Sequence, residues 1–155
     1  MYSTEIYKKN FLELKNYFKE KNPSLSKSFG KLNSFMLNTK KLYSENESFV
    51  QKEKIEEVYS IVRRATGKLE PWLLENKEDE KYSEILDVYF QLVGFLRIWE
   101  FYDERYVTYG EKTDDIMLKL YCLDPSYVLN ETLKKGRSAI FFSATLTPLC
   151  YFKEI

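Results

Sequence analysis

Apolar side chains recur every three or four residues as far as Tyr102 and every second residue beyond it. A helix buries one stripe at the longer spacing and a strand buries one face at the shorter. The switch therefore predicts an α+β fold, mostly helical, with residues 1–104 almost wholly helical and strands only after residue 104. Tyr7, Phe11, Leu14 and Phe18 share one face of a helix over residues 2–21, with Lys8, Lys15 and Lys19 off that stripe. Asn22-Pro23-Ser24 ends it, because the residue before proline is pushed out of the helical region. A second helix is expected over residues 25–38, with Leu32, Phe35 and Met36 inward. Ser48 is expected to cap a third, whose apolar side is Val50, Ile55, Val58, Tyr59 and Val62 and which stops before Gly67. Pro71 suits the first turn of a short helix over Trp72 and Leu73. The charged run 75–81 reads as a solvated loop or helix start. A long helix follows over residues 82–102, with Ile85, Leu86, Tyr89, Val93, Leu96 and Trp99 in register.

After Tyr102 the pattern becomes extended. Residues 106–109 are β-prone, Gly110 to Asp115 is a polar turn, and Ile116, Leu118, Leu120 and Cys122 alternate with Met117, Lys119 and Tyr121. These runs predict a β-hairpin. Asp124 and Pro125 then read as N-cap and first position of a helix that ends at Gly136. Residues 139–142 form a short apolar run suited to a buried strand, and Pro148 opens a last helix. The strand–helix–strand part looks like one edge of an α/β sheet. Together with a helix running to Ile155, this suggests a piece of a longer protein.

Composition narrows the chemistry. The 155 residues are 44% hydrophobic and 17% aromatic, which suffices for a folded core. There is no His, so no His base, triad or metal site can be built from this chain alone. Two Cys make neither a disulfide framework nor a complete metal or iron–sulfur site, and no metal-ligating residue is assigned. With no apolar signal-peptide core and no membrane-length stretch, a cytoplasmic setting and no membrane partner are expected. The five glycines form neither a phosphate loop nor a dinucleotide fingerprint. Lys plus Arg and Asp plus Glu both number 24, yet residues 1–44 carry a surplus of six positive charges and the remainder six negative. A basic end on an acidic body suggests a local anion-facing surface.

The segment 139–148 would deliver Ser143, Ala144 and Thr145 at the carboxyl end of a buried strand, where α/β sheets place their ligand crevice. Two hydroxyls there can each donate and accept a hydrogen bond. They suit a relay from a phosphate–metal site to a neighbouring domain; a strand end before a capped helix is the plainer alternative.

Leu118-Lys-Leu-Tyr-Cys-Leu-Asp-Pro-Ser126, followed seventeen residues on by Ser143-Ala-Thr-Leu-Thr-Pro148, resembles the iron–sulfur superfamily-two DNA helicases of the XPD/DinG type. There a strand ending in Leu-Asp-Pro-Ser leads into a helix, and the next strand carries helicase motif III. Phe101-Tyr-Asp-Glu-Arg-Tyr-Val-Thr-Tyr109 is similar to the stretch before these elements in bacterial members. The resemblance covers about residues 95–155; over 1–94 the helical pattern and position match. It implies that residues 1–104 are the helical arch insertion over the single-stranded DNA path. Residues 105–155 would be the hairpin and the return into the first, RecA-like motor domain. It implies a parent enzyme, an ATP-dependent helicase moving 5′ to 3′, with ATP, Mg and a possible 4Fe-4S cluster held by the parent and not by this chain. Ser143, Ala144 and Thr145 would be motif III, coupling hydrolysis to unwinding. Lys8, Lys15 and Lys19 would face the DNA backbone, with a solvated helix face as the plainer alternative. Partners would be the rest of the helicase chain and single-stranded DNA. The competing expectation is a free-standing helical interaction module without enzyme activity.

Overall fold

The structure is a computed structural model that describes residues 3–42, 47–138 and 140. The chain divides into two compact units, Met1–Leu123 and Asp124–Ile155. In the first, the described residues form β1 (Thr4–Tyr7), α1 (Lys8–Lys21), α2 (Pro23–Asn38), a 3-10 turn (Thr39–Leu42), β2 (Ser48–Gln51), α3 (Glu56–Glu75), α4 (Tyr82–Phe101), β3 (Tyr106–Lys112) and β4 (Ile116–Cys122). The second contributes α5 (Ser126–Leu133). The fold is α+β and mostly helical. Among the described residues no helix is long and apolar enough to cross a membrane.

Strands do occur before residue 104, against expectation. β1 and β2 flank the predicted hairpin in one antiparallel sheet of order β1-β4-β3-β2. Thr4 stands opposite Leu120 and Tyr7 opposite Met117; Phe49 stands opposite Gly110. The helix expected over residues 2–21 begins only at Lys8. Its first part is Thr-Glu-Ile-Tyr, in which Thr4 and Ile6 point inward at strand spacing. Ser48 opens a strand where a helix cap was expected, because Phe49 and Val50 are β-prone and an open hairpin edge is there to pair with.

The helix starts have local causes. Tyr7 cannot cap α1, and Asp115 from the β3–β4 turn does so instead, accepting the Lys9 N–H at 2.9 Å. Asn22 caps α2 by accepting the Leu25 N–H at 3.1 Å, with Pro23 in the first turn. α3 runs without a break through Gly67 and Pro71, which were expected to end one helix and begin another. Pro71 donates no backbone hydrogen bond to Gly67 and costs ~3 kcal/mol in a helix interior. The stripe Val58, Val62, Ala65, Leu69, Trp72 and Leu73 continues across it, and each large buried side chain contributes about 1.5–3 kcal/mol. α5 starts one residue later than expected, with Pro125 at the cap position, and ends at Leu133 rather than Gly136. The strand expected over 139–142 and the helix from Pro148 lie outside the described residues.

One core joins the helices to the inner sheet face, where Ile6, Leu118 and Leu120 are fully buried. Gly110 is buried on that face because the Phe49 ring lies over it. A Cβ at Gly110 would enter the ring, whereas at Gly67 it would meet nothing within 4 Å. Gly110→Ala is expected to destabilise the protein by about 1–3 kcal/mol through overpacking. Gly67→Ala should stabilise it by about 0.5–1 kcal/mol through helix propensity. Urea denaturation of both variants measures the two opposite signs.

Candidate nucleic-acid interface

Three helices each carry two cations four residues apart: Lys15 and Lys19 on α1, Lys27 and Lys31 on α2, Arg64 and Lys68 on α3. Four residues rise ~6 Å and return to the same helix face. The core-facing stripes of the same helices are fixed by Phe11 and Phe18, by Leu25, Phe29 and Leu32, and by Val58, Val62 and Leu69. The cationic faces therefore have no freedom to rotate away, and they line two hollows. The larger, of about 790 Å³, is bordered by Lys15, Lys19, Lys27, Lys31 and Arg64, with Glu57 its one carboxylate. The smaller, of about 240 Å³, shares Lys27, Lys31 and Arg64 and adds Lys68.

The groove is tied together by polar contacts that leave its charge intact. The Ser26 hydroxyl of α2 donates to the Lys15 carbonyl of α1 at 2.8 Å, and Lys68 Nζ of α3 donates to Ser24 Oγ of α2 at 2.9 Å. The Lys15 stem crosses α2 above Gly30, where an added Cβ would stand 3.7 Å from its Cδ. All six cations are exposed, and among the described residues none of them is in an ion pair. Like charges at this helical spacing cost about 0.2–0.5 kcal/mol per pair. The arrangement works against stability and is suited to a multivalent anion.

Of the lysines expected to face an anion, Lys15 and Lys19 line the groove, while Lys8 is half-buried at the start of α1 and does not line it. Ser143, Ala144 and Thr145 lie outside the described residues. Lys27, Lys31, Arg64 and Lys68 were missed from sequence. Their signal was the repeat of one cation spacing in three successive helices.

Asp79 in the α3–α4 connection fastens α1 in place. It accepts the Tyr17 hydroxyl at 2.5 Å, the Lys81 N–H at 2.9 Å and Lys21 Nζ at 3.1 Å. Lys21 also donates to the Tyr17 hydroxyl and lies 4.2 Å from that ring's centroid. Burial pushes the Asp79 carboxyl up, but the bonds from Tyr17, Lys81 and Lys21 outweigh it and hold the pKa below the usual carboxylate value.

A second surface lies on the outer face of the sheet. Val50, Val107, Tyr109, Met117, Tyr121 and Leu123 surround a hollow of about 420 Å³ that also includes Glu111 and Lys119. Val50 is 64% exposed and Leu123 58%. Among the described residues no cluster of three or more His, Cys, Asp or Glu side chains could hold a metal ion. No protein-family model matches the chain, and no curated protein is recognisably similar to it.

The Asp79 clamp has a pH signature. A carboxyl whose pKa falls on folding adds stability that is complete above its unfolded pKa and is lost as pH drops through the folded value. Asp79→Asn is expected to lower stability by about 1–3 kcal/mol near neutral pH. The loss should shrink toward zero as the solution is acidified below the carboxylate range. Thermal melts of both proteins across an acid series measure this convergence.

Proposed function

We propose that this chain is part of an ATP-dependent DNA helicase of the XPD/DinG type, moving 5′ to 3′. Residues 1–104 act as the arch over single-stranded DNA, with the β3–β4 hairpin completing the arch's antiparallel sheet, and the chain from Asp124 on leads back into the first, RecA-like motor domain. The observation that carries this reading is the junction after the hairpin. β4 ends at Cys122, Leu123-Asp-Pro follows, and α5 begins at Ser126, whose N–H is accepted by Asp124 Oδ1 at 2.9 Å. A strand followed by a turn into a helix is also what the resemblance implies for its Leu-Asp-Pro-Ser element.

The chain has no phosphate loop, so ATP and Mg, and any iron–sulfur cluster, belong to the remainder of the helicase chain. Ser143 and Thr145 transmit the nucleotide state to the second motor domain and bind little ATP themselves. A second reading, an interaction module without enzyme activity, is favoured by the apolar outer face of the sheet with its exposed Val50, Tyr121 and Leu123.

Two measurements test the helicase reading. The isolated chain is expected to hydrolyse no ATP, with or without DNA, because phosphoryl transfer depends on positioning groups it lacks. In the full helicase, Ser143→Ala with Thr145→Ala should reduce unwinding far more than basal hydrolysis. Nucleotide affinity should change little, because each lost neutral hydrogen bond is worth about 0.5–1.5 kcal/mol. Unchanged unwinding would remove these residues from the coupling path.

A further inference from the structure

We infer that the groove between α1, α2 and α3 binds the sugar–phosphate backbone of a single nucleic-acid strand, with Lys27, Lys31, Arg64 and Lys68 as its central phosphate contacts and Lys15 and Lys19 extending the track. The choice of occupant rests on the helicase reading; the site itself is built from the groove's own charge and shape. Six cations face one carboxylate, Glu57, across two adjoining hollows. Each helix presents its pair at the same ~6 Å interval. The result is a run of positive charge with a repeat, matched to a ligand whose negative charge also repeats. Lysine contributes point charges and fixes a backbone without reading bases.

Shape selects a single strand. The cations line a concave cleft between helices, into which a flexible strand can bend. A duplex is stiff over about 150 base pairs and presents its phosphates on a convex cylinder. An acidic peptide would satisfy the charge but needs apolar grip as well. The apolar side chains at the groove are Pro23, Phe35 and Ile61 alone, and Phe35 is only 5% exposed. The outer sheet face is no competitor for this ligand, since its Lys119 is already paired with Glu5 at 3.2 Å and Glu111 borders the same hollow.

The experiment is fluorescence anisotropy of a labelled oligothymidylate, about 12 nucleotides long, titrated with the full chain across a series of KCl concentrations. Single-strand binding loses about 0.7 in the slope of log K against log salt for each phosphate neutralised. With all six cations engaged the slope is expected to be about −4. Lys27→Gln with Arg64→Gln should weaken binding at least tenfold and reduce the slope by about 1.4. Lys31→Gln with Lys68→Gln should do the same, while Lys77→Gln, on the exposed loop after α3, should change neither. All these positions are exposed, and circular dichroism melts check that the variants stay folded. The inference is overturned if both double variants bind like the parent chain, if a duplex of equal length binds more tightly, or if poly-glutamate displaces the oligonucleotide at equal charge concentration. None of these outcomes bears on Ser143 and Thr145, so failure of the groove and failure of the helicase reading are separable.

Discussion

Phe18 of α1 is fully buried, with its ring stacked 6.0 Å from Phe29 of α2 and set edge-on 5.0 Å from Trp72 of α3. Phe29 in turn stacks 6.4 Å from Phe11, which lies about two turns before Phe18 on α1. Such aromatic pairs contribute about 0.5–1.5 kcal/mol each beyond their buried area, and they have preferred geometries. The three helices that carry the cation pairs therefore meet at one junction that sets their rotation as well as their distance. Trp72 follows directly on Pro71, so the same junction explains why α3 keeps its helix past a residue that would otherwise end it. Groove and core are two sides of one packing solution.

The long periodic segments were legible from sequence because burial and local spacing agree in them. The spans of α2 and α4 lie close to their expected places, the β3–β4 hairpin forms with Gly110 to Lys112 in β3 and not in the expected turn, and the stripe Phe11, Leu14, Phe18 is the buried face of α1. The short strands were not legible. β1 and β2 are four residues each, too brief to establish alternation, and what makes them strands is a partner far along the chain. Gly67 and Pro71 misled for the opposite reason. Both are local punctuation, and tertiary burial on either side of them overrode it. At the groove, Lys15 and Lys19 could be picked out as off-stripe charges, but their convergence with Arg64 and Lys68 depends on how three helices cross.

Net charge conceals this arrangement. The chain is neutral overall, with 24 residues of each sign. Charge is nevertheless sorted by position. The acidic run Glu78, Asp79, Glu80 lies in the α3–α4 connection and neutralises Lys21, while the six cations at the groove have no ion-pair partner among the described residues. Potentials at a surface are set by such local sums and are screened within about 10 Å at 0.1 M salt. A neutral protein of this kind can attract an anion to one face without adhering to nucleic acid over its whole surface.

The sheet also imposes an order of assembly. Its two central strands are neighbours in sequence, but each edge strand arrives from far away, with Thr4 opposite Leu120 and Phe49 opposite Gly110. A hairpin closes in about 1–10 μs, whereas contacts between distant residues carry a loop-closure entropy that slows them. During synthesis, β1 leaves the ribosome first and waits for its partner until residue 122 has emerged. Ile6 is fully buried in the finished protein, so for that interval its side chain is sheltered only by whatever the growing helices provide. The edge strands are thus the last elements to dock and the first to be released in local opening. The amides of residues 4–7 and 48–51 will exchange with solvent ahead of those in the β3–β4 pair.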